Sequence, residues 1–131
     1  MMGIADNKAL VTQFWETFSA GDYPGAAAML SDDATWWVAG STDLSGTYTK
    51  PEFVALLGQV TPMAPKGLTV TPNLLTAEDD RVSVEAVSHG EITNGKTYKN
   101  IYHFMMVCRD GKICAVREYL DTEHVTDVFG T

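Results

Sequence analysis

The sequence holds only two cysteines, Cys108 and Cys114, and three histidines in 131 residues. The cysteines flank one turn, and neither strand register there pairs them directly. A disulfide would strain that hairpin, so two free thiols in a reducing compartment are the expectation. Cysteine and histidine also lack the spacing of a zinc site, so no metal and no other cofactor is expected. Basic residues are scarce as well: nine Lys and Arg stand against seventeen Asp and Glu, for a net charge of −8. The few cations are scattered, which excludes a nucleic acid or an anionic membrane surface as partner. No apolar run approaches membrane length. The N-terminal MMGIADNK has neither the basic start nor the apolar core of a signal peptide, so the expectation is a cytoplasmic protein. Glycine-rich phosphate loops, a serine on a strand–helix elbow, internal repeats, linkers and low-complexity segments are all missing.

What is present is an ordinary apolar content of 45 % in a chain long enough for one domain, residues 1–131, with a real core. Asp6 can cap a first helix running to about Ala20. Its Leu10, Val11, Phe14, Trp15 and Phe18 form one apolar stripe broad enough to lie on a sheet. Gly21 ends that helix, and Asp22 with Pro24 starts a short second one. Ala34 to Ala39 reads as a strand by its aromatic and β-branched content, with Trp36 and Trp37 facing opposite sides. Thr49-Lys50-Pro51-Glu52 is a capping box with proline just inside, and it opens a third helix that carries Phe53 and Leu57. After Gly67 the period changes to two. Leu68 to Ala77 is a strand that Pro72 confines to an edge or a bulge. Arg81 to Thr93, and then two strands within Tyr98 to Asp121, complete a run of four. Thr122 to Phe129 adds a final helical turn. Helices first and strands after is an α+β plan. A strongly bent, mostly antiparallel sheet wrapped around three helices of the N-terminal half would enclose a pocket.

Two glycine turns set the faces. Asn94-Gly95 reads as a two-residue type I′ hairpin pairing Thr93 with Lys96. Counting back, it places His89 opposite Asn100, Val87 opposite Tyr102 and Glu85 opposite Phe104. The turn at Asp110-Gly111 has two readings. A two-residue loop puts His103 opposite Glu118. A three-residue loop with Gly111 in a bulge puts Tyr102 opposite Glu118. The three-residue reading is preferred, because Arg-Asp-Gly suits a type I turn followed by a glycine of positive φ. The wall so predicted holds Glu85, His89, Asn100, Tyr102 and Glu118, with Val87, Phe104 and Val116 between them. Burying such a set without partners costs several kcal/mol, so its members either pair or bind something. Trp15, Trp37, Tyr48, Phe53 and Leu57 are the natural remaining lining, and they suit a core equally. A carboxylate in an apolar cavity is pushed toward the range where a base works at neutral pH. Glu118 is the candidate base or acid, and Tyr102, His89 or Asn100 would polarise a carbonyl or hydroxyl.

The runs SAGDYPGAAAMLSDDATWWVAG, LSGTY, NGKTYKNIYHF and DGKICAVREYLD resemble the SnoaL-like polyketide cyclases and ketosteroid-isomerase-like proteins. The resemblance spans nearly the whole chain. It implies the cone-shaped fold of nuclear transport factor 2, a homodimer through the outer sheet face, and a mostly apolar pocket for a small hydrophobic molecule. It does not imply one activity, because this fold hosts enzymes, ligand binders and dimerisation modules. The steroid isomerases' tyrosine falls at Phe14, their general base at Val38–Ala39, and their second acid near Tyr102 or His103. Steroid isomerisation is therefore not expected. The cyclases and limonene-epoxide hydrolases place a catalytic aspartate in the last strand, where this chain has Glu118. The hydrolases' inward arginine has no match, since Arg81, Arg109 and Arg117 sit at turns or on the wrong face. The resemblance thus implies an isomerase-, cyclase- or lyase-like enzyme with a carboxylate base, or a non-catalytic binding or dimerisation module.

Overall fold

The computed structural model describes residues 3–130; Met1, Met2 and Thr131 lie outside them, and with them part of the N-terminal reading. Helix α1 spans Ile4–Ser19 and α2 spans Tyr23–Ala27. Strand β1 (Leu30–Val38) and β2 (Gly46–Thr49) precede α3 (Lys50–Val60) and a short 3-10 turn at Thr61–Met63. Strands β3 (Leu68–Glu78), β4 (Arg81–Glu91), β5 (Thr97–Tyr98), β6 (Ile101–Arg109) and β7 (Lys112–Leu120) follow, then α4 (Thr122–Phe129). The strands form one sheet in the order β2-β1-β7-β6-β4-β3, with β5 beside β4. The sheet curls into a half-barrel around the helices, and the fold is the expected α+β cone. Its pairing is antiparallel except between β1 and β7, which run parallel.

Local chemistry fixes the ends. Gly3, not Asp6, is the N-cap of α1; the Asp6 carboxylate reaches back to accept the Gly3 N–H at 3.1 Å. The Asp22 carboxylate accepts the Gly25 N–H at 2.8 Å. Thr49 and Glu52 form the reciprocal box of α3. Pro72 sits on the edge strand β3 beside a bulge, where its missing N–H leaves no gap in the ladder. The α1 stripe Val11, Phe14, Trp15 and Phe18 is buried against the concave face of the sheet. That face contributes Val82, Val84, Phe104, Met106 and Val116 to the same core.

Both glycine turns differ from expectation. At Asn94-Gly95 the loop has three residues: the Ile92 N–H donates to Lys96 O at 2.9 Å, and Gly95 has φ 87°. Asn94 has no positive φ, because its side chain is engaged elsewhere. Its Oδ1 accepts the Lys96 N–H at 3.0 Å and its Nδ2 donates to Val128 O of α4 at 2.8 Å. At Asp110-Gly111 the loop has two residues, with Arg109 opposite Lys112 and both turn residues at positive φ, 52° and 78°. A bulge at Cys114 then shifts the ladder. Phe104 is opposite Glu118, and Tyr102 is opposite Leu120, so neither predicted partner of Glu118 is correct.

The consequence on β4 is larger. Val84, not Glu85, is opposite Phe104, and Ala86, not Val87, is opposite Tyr102. A slip of one residue turns every side chain of a strand over. Glu85, Val87 and His89 are therefore exposed on the convex face, and Val84, Ala86 and Ser88 point inward.

Candidate functional site

A cavity of about 100 Å³ lies between the concave face and helices α1, α3 and α4. Trp15 and Phe18 come from α1, Trp36 and Val38 from β1, and Phe53, Leu56, Leu57 and Val60 from α3. The sheet adds Tyr98, Tyr102, Phe104, Glu118 and Leu120, and α4 closes one side with Val125 and Phe129. The lining contains no lysine, arginine or histidine.

Glu118 is the one carboxylate in this wall. It is there because β7 alternates Val116, Glu118 and Leu120 toward the concave side, with Val38 of β1 beside it in the ladder. Its Oε1 accepts the Trp36 indole N–H at 2.8 Å. Burial pushes the carboxyl up to about 7, and the Trp36 hydrogen bond pulls the other way. Glu118 keeps some accessible surface, and what it faces is the cavity. Trp36 is locked in turn: it stacks on Phe53 at 4.0 Å between centroids and meets Trp15 edge-on at 6.0 Å.

A chain of hydroxyls lies on the same wall. Tyr102 Oη is 3.0 Å from Ser88 Oγ and 2.8 Å from Tyr98 Oη. Burial is the main force raising both phenols, Tyr98 to about 12 and Tyr102 well above its usual value. Both rings thus stay neutral donors at ordinary pH. Asn100 supports them from behind. Its Oδ1 accepts the Ile101 and Asp121 N–H groups at 2.7 and 3.0 Å, and its Nδ2 donates to Tyr98 Oη and Asp121 O, each at 3.0 Å.

Of the residues singled out from sequence, Glu118, Tyr102, Trp15, Phe53, Leu57 and Phe104 come together around the cavity. Asn100 and Val116 are buried just behind it. Tyr48 stands outside the lining, donating to Leu44 O at 2.8 Å. Four residues are on the other side of the sheet. Glu85 and His89 are there because β4 is shifted, and His103 because Phe104 takes the inward position; His103 pairs with the Ser83 hydroxyl and stacks near Tyr119. Trp37 is the convex member of its pair, with the Arg117 guanidinium 4.8 Å from its ring centre. Trp36 is the cavity tryptophan that sequence reasoning did not choose. Its shared parity with Ala34 and Val38, against Thr35 on the other side, was the available signal. Ser88 was also missed, and only the β4–β6 register reveals it; Tyr98, whose parity already puts it on one face with Asn100, Tyr102 and Phe104, was not chosen as a site residue.

Among the described residues no three His, Cys, Asp or Glu side chains converge as metal ligands. No helix there is long and apolar enough to cross a membrane.

A family model described as a SnoaL-like domain matches residues 11–116. No curated protein matches the chain. Solved structures do. An NTF2-like protein from Burkholderia xenovorans LB400 is 25 % identical with a TM-score of 0.77, over 97 % of this chain and 98 % of that one. PrhC from Penicillium brasilianum NBRC 6234 superposes with a TM-score of 0.86 at 12 % identity, over 95 % and 85 %. TerC, co-crystallised with polyporic acid, gives 0.81 at 20 % identity, over 94 % and 97 %.

Proposed function

The chain belongs to the SnoaL-like family, and from that premise we propose that it takes a small, hydrophobic carbonyl or hydroxyl compound into the cavity and moves a proton on it with Glu118. One observation carries this reading: a lone carboxylate on an apolar cavity wall, held by a neutral indole N–H, with no cation in the lining. A carboxyl near 7 exchanges a proton readily at neutral pH, which suits a general base or acid. Trp36 occupies one oxygen and so orients the other. Tyr102 supplies a neutral donor on the same wall. Such a set fits proton abstraction beside a carbonyl, as in isomerase, cyclase or lyase chemistry. Chemistry of this kind needs no metal or organic cofactor.

The test is solvent deuterium exchange. Small cyclic ketones are incubated with the protein in heavy water, and loss of the hydrogens next to the carbonyl is followed by proton NMR. Glu118→Gln is expected to slow the exchange roughly a hundredfold. Equal rates for the two proteins would sink the catalytic role. If ligand affinity then proves unchanged by Glu118→Gln, the protein is a binder on this scaffold.

The convex face supports a second part of the reading, that two copies pair through it. Ile101 is 66 % exposed and Leu74 56 %, with Val87, Tyr119 and Trp37 nearby. Glu85 and Arg117 also lie on this face, and opposite charges of this kind can pair across a two-fold axis. Sedimentation of the wild type and of Ile101→Lys checks this: a dimer that becomes a monomer is expected, and a wild-type monomer overturns it.

A further inference from the structure

A second cavity, of about 120 Å³, lies between the β1–β2 loop, the end of α3 and α4. Leu44, Leu56, Val60, Val125 and Phe129 line both it and the inner cavity. The two spaces therefore lie back to back and share one ring of side chains as a neck. That neck is wholly apolar and lightly held. Only Val125 is buried; the other four are half-buried. Side chains open to solvent change rotamer within nanoseconds. Leu56 and Val60 belong to α3, which buries only Phe53 and leaves Val54 45 % exposed. The loop side is firmer: Tyr48 Oη donates to Leu44 O and Ser45 Oγ donates to Ala39 O, each at 2.8 Å. Widening of the neck thus falls to the α3 side.

Beyond the neck the chemistry changes. The outer lining gains Thr42, Asp43, Gln59 and Thr126. Gln59 comes from α3 and Thr126 from α4, and both are exposed. Among the described residues neither of these two side chains is engaged in a hydrogen bond within the fold. An amide and a hydroxyl each donate and accept, so the pair suits a ligand group that does both. No lysine, arginine or histidine lines either space, and Asp43 adds a carboxyl to the outer one. An anionic group there would lose water without gaining a cation. Size separates the two spaces as well. At roughly 10–15 Å³ per water-sized atom, the inner cavity alone admits on the order of seven to ten non-hydrogen atoms, and the two together on the order of fifteen to twenty-two.

We propose that the outer chamber is a second binding subsite, reached through the neck, which takes the uncharged polar end, a hydroxyl or an amide, of a ligand too long for the inner cavity. This rests on reading the inner cavity as a ligand site, and it adds the ligand's length and the chemistry of its far end. The apolar middle of such a ligand lies against Leu44, Leu56, Val60, Val125 and Phe129, and the polar end meets Gln59 and Thr126. A compound that ends at the neck leaves the outer chamber to water. A compound with a carboxylate end places its charge beside Asp43.

Three ketones serve as probes in titration calorimetry. 2-Heptanone fits the inner cavity, 12-hydroxydodecan-2-one spans both spaces with a neutral end, and 11-oxododecanoate spans both with a charged one. The hydroxyketone is expected to bind at least tenfold tighter than heptanone, to displace it one for one, and to bind roughly tenfold tighter than the carboxylate. Thr126→Trp and Gln59→Trp, both at exposed positions, narrow the outer chamber. Each should weaken the hydroxyketone roughly tenfold and leave heptanone within twofold. A hydroxyketone no tighter than heptanone overturns the outer subsite and leaves the inner ligand site standing. Simultaneous binding of the two overturns the shared neck. A hydroxyketone affinity that neither tryptophan changes overturns the placement of its far end. Equal binding of the carboxylate overturns the uncharged class. Binding of no ketone at all removes the inner site and the outer one together.

Discussion

Asn94-Gly95 and Asp110-Gly111 are the same kind of dipeptide in the same kind of place, each joining neighbouring strands of one sheet. At the first, only the glycine enters the left-handed region, and the loop has three residues. At the second, both residues enter it, and the loop has two. Asn94 is held by the last turn of α4 through Val128 O, whereas Asp110 is exposed. A partner from elsewhere in the fold therefore selects the loop length. The three-residue loop turns Glu85 outward, and behind the two-residue loop the bulge at Cys114 brings Glu118 to the cavity side.

The sharpest way to test this contrast is to neutralise each carboxylate. Glu118 has its folded value raised from 4.5 to about 7. A group raised in this way contributes its full stability below the unfolded value and loses it as pH climbs through the folded one. The wild type is therefore expected to lose about 3 kcal/mol between pH 4 and pH 8 from this group. Glu118→Gln should abolish that loss in urea titrations, and Glu85→Gln should change stability by less than about 0.5 kcal/mol. A pH dependence retained by Glu118→Gln would contradict the buried placement.

Next in size is Trp36→Phe. The ring packing on Phe53 is largely kept, but the hydrogen bond that favours the ionised carboxylate is lost. Carbon NMR of the Glu118 carboxyl should show its titration moving upward by about one unit. A midpoint that stays put or falls would show that the indole does not hold the carboxylate.

The smallest effects have opposite signs. Asp110→Gly relieves a side chain held at φ 52° and should stabilise the protein by about 0.5 kcal/mol. Asn94→Gly removes two side-chain hydrogen bonds and should destabilise it by about 1 kcal/mol. Thermal melts of the two variants measure both, and equal signs would erase the distinction between the turns.

Much of the fold is legible because its signals are local. The Thr49–Glu52 box, the Asp22 cap, the α1 stripe and the edge proline each carry their own cause within a few residues. Glu118 is legible for the same reason: a carboxylate in the alternating run Val116, Glu118, Leu120 is conspicuous without knowing its partner. Facing residues are different. Glu85 and His89 were assigned inward by counting from a turn, and counting carries one early slip through the whole strand. No local signal reports that Asn94 is tied to Val128, 34 residues onward. Ser88 stayed hidden behind that same slip.

The hydrogen bond between Trp36 and Glu118 joins residues 82 apart in sequence, and the strands that carry them run side by side in parallel. Joining them closes a long loop, whose entropy must be lost before the contact returns anything. The antiparallel ladder from β3 to β7 needs no such closure. In a stopped-flow experiment that ladder would assemble first, and the carboxylate would acquire its indole partner after the rate-limiting step. Substitutions at Trp36 would then hasten unfolding and leave the refolding rate almost untouched.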